Sequence, residues 1–184
     1  NMWIWVILGI ILIIIILIIS LYNNLVKASQ KVKNAWAQID TQLKRRFDLI
    51  PNLIETVKKY MEHEEKTLTE ISKAKNMFNE ALKVDEKANA NDMLTNGLKN
   101  IFALAEAYPE LKANQNFALL QEELSKTEDK IAFSRQFYND TVQMYNTLVM
   151  TFPTNLFAKI FGFKEEKFFE IENKSEKENV KVKF

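Results

Sequence analysis

Residues Trp3 to Ile19 carry no charge, and most are Ile or Leu. With Met2, Ser20 and Leu21 the apolar run reaches about 20 residues, enough at ~1.5 Å per residue to cross a hydrocarbon core of ~30 Å. No Lys or Arg precedes it, and no small-x-small cleavage signature follows it. The pattern therefore predicts a retained transmembrane helix over residues 1–21 rather than a cleaved signal peptide.

Beyond Tyr22 the apolar positions thin out to a narrow seam. Leu25, Ser29, Val32, Trp36, Ile39, Leu43, Arg46 and Ile50 follow a 4-3-4-3 spacing. That spacing predicts a helix with a coiled-coil-like stripe, continuous with the span because no breaker lies between Tyr22 and Val26. Pro51 then disfavours helix at Ile50 but suits the first turn of a new helix, with Asp48 as a cap upstream. A tight turn at Pro51 would pair two helices of ~30 residues, ~45 Å each, antiparallel. The seam phase runs through the proline without a slip, so one long helix kinked at Pro51 stays open as the alternative.

Ile54, Val57, Met61, Leu68, Ile71, Phe78 and Leu82 predict a second helix over about 52–83. The pattern fails in VDEKANAN, Val84 to Asn91, which reads as a loop. Asp92 is placed to cap a third helix, Met93 to about Ala107. Pro109 opens a fourth, Glu110 to about Thr151, whose apolar face includes Leu111, Phe117, Leu120, Leu124, Ile131, Phe137, Val142, Tyr145 and Leu148. Pro153 ends it, and a short turn over Asn155–Ile160 follows. Residues 164–184 form a charged tail in which Phe168, Phe169 and Ile171 pack or make a short extended piece; its end reads as mobile.

Three glycines and three prolines in 184 residues leave too few turn residues for a sheet protein. The expected fold class is all-α: an N-terminal transmembrane helix continuing into an antiparallel four-helix bundle over residues 22–163. The cations orient it. Lys27, Lys31, Lys33, Lys44, Arg45 and Arg46 all follow the span, which places the N-terminus outside and the bundle in the cytoplasm. Trp3 and Trp5 then belong to the outer aromatic belt and Tyr22 to the inner interface. The chain has no cysteine, which excludes disulfides, thiolate zinc sites and a Cys nucleophile. A net charge of +1 supplies no global field for nucleic acid.

Three stretches invite a chemical reading. Lys44-Arg45-Arg46 resembles a patch for anionic lipid or nucleic acid, but it lies roughly 35 Å along the helix from the bilayer and lacks a broader basic face. We expect a solvated face with Arg46 on the seam, paired with Asp48 or Glu55 across a corner at Pro51. Glu62-His63-Glu64-Glu65 has neither the His-Glu-x-x-His nor the paired Glu-x-x-His spacing of a metal site. Lys58–Glu62 and Glu62–Lys66 are i,i+4 pairs of an ordinary exposed face. FPTNLFAKIFGF is dense in apolar surface; Phe152, Phe157, Ile160, Phe161 and Phe163 either close one end of the bundle or dock on a neighbouring subunit or the bilayer. No phosphate-cradling or nucleophile-elbow motif is present, so no catalytic residue, cofactor, metal or small-molecule substrate is expected.

YNNLVKASQKVKNAWAQIDTQLKRRFDLIPNLIETVKKYMEHEEKTL resembles the N-terminal signature of the LemA family. LQEELSKTEDKIAFSRQFYNDTVQMYN and FPTNLFAKIFGF with KFFE resemble its later signatures. The resemblance covers nearly the whole chain. It implies a bacterial membrane protein with one N-terminal span, a cytoplasmic helical bundle and no established enzymatic activity. It also implies a genomic neighbourhood of envelope membrane proteins, including membrane proteases. The expected function is a non-enzymatic, self-associating scaffold at the bacterial inner membrane, its partners being the lipid bilayer and further copies of itself. The alternative is a monomeric adaptor that presents a helical face to another envelope membrane protein.

Overall fold

The computed structural model describes residues 2–170, so the expectations for Ile171 and the end of the tail lie outside the described residues. Its helices are α1 (Met2–Asp48), α2 (Ile50–Lys58), α3 (Glu65–Glu80), α4 (Val84–Ala105), α5 (Pro109–Lys112), α6 (Gln115–Met150) and α7 (Thr154–Phe161). There is no strand among the described residues. The fold class is all-α, as the period-3.6 stripes predict.

α1 starts as an all-apolar, exposed rod. Leu25, Val32, Ala35, Ile39 and Leu43 then mark one buried stripe. The expected corner at Pro51 is corrected. Leu49 keeps helical dihedrals (φ −76°, ψ −18°), and helical backbone bonds run from the Leu49 N–H to the Arg46 carbonyl and from the Leu53 N–H to the Leu49 carbonyl. Pro51 sits in the first turn of α2, where its missing N–H costs least. The kinked-helix alternative therefore holds. The helical run instead gives way at residues 59–64, in successive turns that split the expected helix over 52–83.

The chain divides into two compact units. The first comprises residues up to 39 together with 134–167. In it α1 and α6 lie antiparallel, since Trp36 meets Tyr138 while Tyr22 meets Phe161, beyond the end of α6. Tyr138, Val142 and Tyr145 of α6 are buried, as are Leu25, Val32 and Ile39 of α1, and Thr154 and Ala158 are the buried positions of α7. Phe137, expected on the buried face, is exposed instead.

The second unit comprises residues 40–133 and 168–170 among those described. The end of α1 with α2 forms its first run. α3 returns alongside, because Phe78 near its end stacks on Phe47 (centroids 4.2 Å, 7° between planes). α4 runs back parallel to α1, Lys87 reaching Asp40 and Asn91 reaching Arg46. The first half of α6 closes the set, with Asn114 bonded to Tyr60 and Glu123 to Arg45. Four helical runs thus alternate in direction about a core that includes Phe47, Leu53, Ile71, Leu94, Leu111 and Leu124.

Two expected boundaries move. VDEKANAN is not a loop but the first two turns of α4. Its buried positions, Ala88 and Ala90, are too small to register as a hydrophobic stripe, yet alanine is the best helix former. Glu86 rather than Asp92 supplies the cap: its carboxylate accepts from the N–H groups of Leu82 (2.9 Å) and Lys83 (3.1 Å). The fourth helix starts at Gln115, not Glu110. Pro109 opens only the single turn α5, and Asn114 caps α6 by accepting from the Phe117 N–H at 3.1 Å. Leu82, expected on an apolar face, is exposed in the connection before α4.

Candidate functional site

Among the described residues of the second unit Arg46 is the most buried charge, 1% exposed on a stripe of Leu43, Phe47 and Ile50. Burying a guanidinium is costly unless its hydrogens are paired. Nη1 donates to Asn91 Oδ1 (2.6 Å) and to Thr95 Oγ1 (3.0 Å), residues one turn apart on α4. Nη2 lies 3.6 Å from Glu128 Oε2 on α6, an ion pair with a half-exposed carboxylate. Nε and Nη2 have no hydrogen-bond acceptor in the structure. Burial lowers the Arg46 pKa and the Glu128 charge partly offsets that, but an arginine keeps its proton throughout. The expected partners were Asp48 and Glu55. Both are exposed, Asp48 caps nothing, and Arg46 is turned into the core instead of across a corner.

Its neighbours in the basic run go elsewhere. Lys44 pairs with Asp40 at 2.9 Å and Arg45 with Glu123 at 2.7 Å. Asp40 also takes Lys87. Burial raises the Asp40 pKa, yet the bonds from Lys44 and Lys87 outweigh it and hold the carboxyl below its ordinary value. The three cations thus serve three contacts, not one patch. Glu62 and His63 fall in the exposed turns after α2, and no metal-holding cluster occurs among the described residues. Two open grooves flank this unit, one lined by Ile54, Lys58, Met61 and Glu62, the other by Glu55, Lys59, Leu119 and Glu123.

The first unit carries an aromatic and amide strap. Tyr138 packs on Trp36 (5.7 Å between centroids), and its hydroxyl donates to the Lys167 carbonyl at 2.8 Å. Burial, helped by the Glu166 charge, pushes the Tyr138 phenol up to about 12. Asn146 uses both ends of its amide on one residue: Nδ2 donates to the Glu166 carbonyl (3.0 Å) and Oδ1 accepts from the Glu166 N–H (2.9 Å). Nothing in the sequence pattern singled out Asn146, Asn91, Thr95 or Glu128. Polar residues record no period, so their pairing emerges only when distant helices meet.

The Tyr22 ring meets Phe161 edge-on at 4.9 Å and Phe163 at 6.1 Å. The structure thereby brings together one expected interface residue and two residues of the aromatic segment. Phe157 and Phe163 are half-buried, whereas Phe152, Leu156, Ile160 and Phe161 are exposed. Trp3 and Trp5 are exposed near the start of α1. α7 ends in a left-handed residue, Gly162 (φ +77°), with the Phe163 N–H bonded to the Ala158 carbonyl at 2.8 Å. This Schellman arrangement lets the chain turn sharply and carry Phe163 back to Tyr22.

Comparison with known proteins agrees with these signatures. The LemA family profile matches residues 35–184. Protein LemA of Metamycoplasma hominis is 28% identical over 141 residues, 74% of this chain and 63% of that protein. Magnetosome protein MamQ 2 of Paramagnetospirillum magneticum is 32% identical over 75 residues, 41% of this chain and 28% of that protein. Magnetosome protein MamQ of Magnetospirillum gryphiswaldense is 30% identical over 74 residues, covering 27% of its length. The chain thus spans less than two thirds of the relatives it matches. With most of its length matched by the family profile, the chain belongs to the LemA family.

Proposed function

We propose that this protein is a membrane-anchored helical scaffold that associates with further copies of itself at the bacterial inner membrane and has no catalytic chemistry of its own. The anchoring part is supported by α1, which is long and apolar enough to cross a membrane and whose apolar stretch is left unburied. The LemA family is not a known enzyme family. The distribution of Lys and Arg supports an outer N-terminus and a cytoplasmic bundle. We divide the chain accordingly into a span (1–21), a bundle (22–163) and a tail (164–184).

The observation that carries self-association is a row on α6 within the first unit. Phe137 (49% exposed) and Met144 (69% exposed) stand on one helix face, seven residues apart, with half-buried Leu148 one turn further. A second copy is the occupant that fits. Spans in one bilayer hold every copy in the same orientation, so equal faces meet at equal height. Confinement to a plane raises their effective concentration, which lets a modest apolar contact suffice. The alternative reading, a monomeric adaptor, would offer the same row to another envelope membrane protein.

The mass of the full-length protein in native nanodiscs separates these readings. Defined multiples that fall to single copies in Phe137→Ser/Met144→Ser support the scaffold. A single copy in the unaltered protein sinks it, and a single heterologous crosslinked band would then favour the adaptor.

A further inference from the structure

We infer that α7 is a second membrane contact: Phe152, Leu156, Ile160 and Phe161 rest in the headgroup boundary of the bilayer that α1 crosses. The inference relies on reading α1 as a membrane span and goes beyond it by assigning a lipid surface to a separate helix.

Depth comes first. Tyr22 directly follows the apolar run, and its ring touches Phe161 and Phe163. α7 is thereby held level with the last turn of the span. Ile18 and Leu21 are the first large side chains of the run to become half-buried, and Leu25 is fully buried, so protein cover begins at that same turn.

Chemistry comes second. Thr154 and Ala158 bury one face of α7, while Leu156 (51% exposed) and Ile160 (73%) stand out on the other, flanked by Phe152 (75%) and Phe161 (44%). Three bulky apolar groups on one short helix, with Phe152 just before it, are poorly placed in water but suit the boundary between headgroups and acyl chains. Lys159 is the only charge in α7, Lys164 follows shortly after it, and Lys27 follows Tyr22 on α1, a sign that favours anionic headgroups. Glu165 and Glu166 oppose it, but the Glu166 backbone is drawn toward α6 by Asn146.

Energetics comes third. Eight residues alone would bind a bilayer weakly. Here α1 makes the contact intramolecular, so a weak interface is occupied. A single span leaves its bundle free to swivel. A span plus a surface helix, joined through Tyr22, sets the angle at which the first unit leaves the membrane. A second copy on the same ridge would have to displace lipid from side chains that already sit at headgroup depth, which makes lipid the favoured occupant.

The chain has no cysteine, so each introduced one is a unique labelling site. The test places an environment-sensitive fluorophore at Ile160→Cys, Leu156→Cys, Ser20→Cys, Leu12→Cys or Lys33→Cys. The full-length protein is reconstituted in phosphatidylcholine/phosphatidylglycerol vesicles. Quenching is read with shallow or deep spin-labelled lipids and with a water-soluble quencher. Position 33 lies about 16 Å along α1 from Tyr22 and serves as the aqueous reference. We expect labels at 156 and 160 to lose emission to shallow lipid quenchers as strongly as the label at 20, while 33 responds only to the aqueous quencher. Aqueous quenching at 156 and 160, with Leu12→Cys quenched by deep lipids, overturns the docking and leaves the span intact. Shielding of 156 and 160 from both quenchers overturns it in favour of a protein neighbour. Failure of lipids to quench Leu12→Cys removes the span itself, and the docking with it.

Discussion

Arg46 Nη1 donates to Asn91 Oδ1 at 2.6 Å, tying α1 to α4 through a guanidinium that is 1% exposed. Arg46→Ala removes the charged donor of two α4 acceptors and leaves a void, at a cost of about 3 kcal/mol. In a chain of this size that corresponds to a melting temperature roughly 10 °C lower. Arg46→Met keeps the volume and removes the buried charge, and the half-exposed Glu128 can hydrate, so most of the loss should return. Thermal unfolding of both variants in detergent checks this, and membrane insertion should be unaffected in each. An unchanged melting temperature for Arg46→Ala would place Arg46 outside the stabilising core.

Gly97 of α4 lies close against Ile71 of α3. A Cβ built there would lie 2.7 Å from Ile71 Cγ1, and Ile71 is fully buried. Gly97→Ala gains about 1 kcal/mol of helix propensity but loses about 1–3 kcal/mol to overpacking, for a net destabilisation. A double-mutant cycle with Ile71→Ala should show strong coupling, because removing Cγ1 makes room for the new methyl. Additive effects would contradict the contact.

Asn146 holds residue 166 by both backbone groups. Asn146→Leu should release the segment after α7 and speed trypsin cleavage after Lys164 and Lys167 severalfold, with global stability reduced by about 1–2 kcal/mol. Asn146→Asp should behave similarly, since a carboxylate cannot donate to the Glu166 carbonyl. Peptide mapping after brief digestion of the full chain reads the effect. Cleavage no faster than in the unaltered protein would show the strap to be redundant.

Tyr138 makes stability sensitive to alkali. Its folded pKa is about 12 against an ordinary 10.0, because burial disfavours the phenolate and Glu166 adds to this. A raised folded pKa means that the protonated form is favoured in the fold. Its contribution is therefore complete below pH 10 and is lost as pH rises from 10 toward 12. The loss is on the order of 2 kcal/mol. Denaturant titrations of the unaltered protein and Tyr138→Phe across that window should converge as pH rises. A constant difference would exclude titration of Tyr138 as the cause.

Much of this fold is written locally. Leu25, Val32, Ile39, Leu43 and Ile50 recur because one side of a helix is buried, and that periodicity survives in sequence whatever the helix packs against. Where the side chains are small, the record fades: Ala88 and Ala90 bury a face of α4 without producing a stripe. Adjacent aromatics defeat it too, since Phe137 and Tyr138 differ by one position and only packing on Trp36 turns Tyr138 inward. Proline is ambiguous for a similar reason. Pro51 permits either a turn or a helix start, and the helical backbone at Leu49 decides for continuity.

The sequence by itself determined the apolar run that suits a membrane, the all-helical class and the LemA signatures, because these depend on composition and on spacing within a few turns. The tertiary structure alone decided that Arg46 turns to Asn91 and Thr95 instead of Asp48, that the helical run gives way after Lys58, and that the aromatic segment meets Tyr22. Those are matters of register between residues as many as 141 positions apart (163 − 22), where no local preference acts and only the mutual fit of packed helices selects the partner.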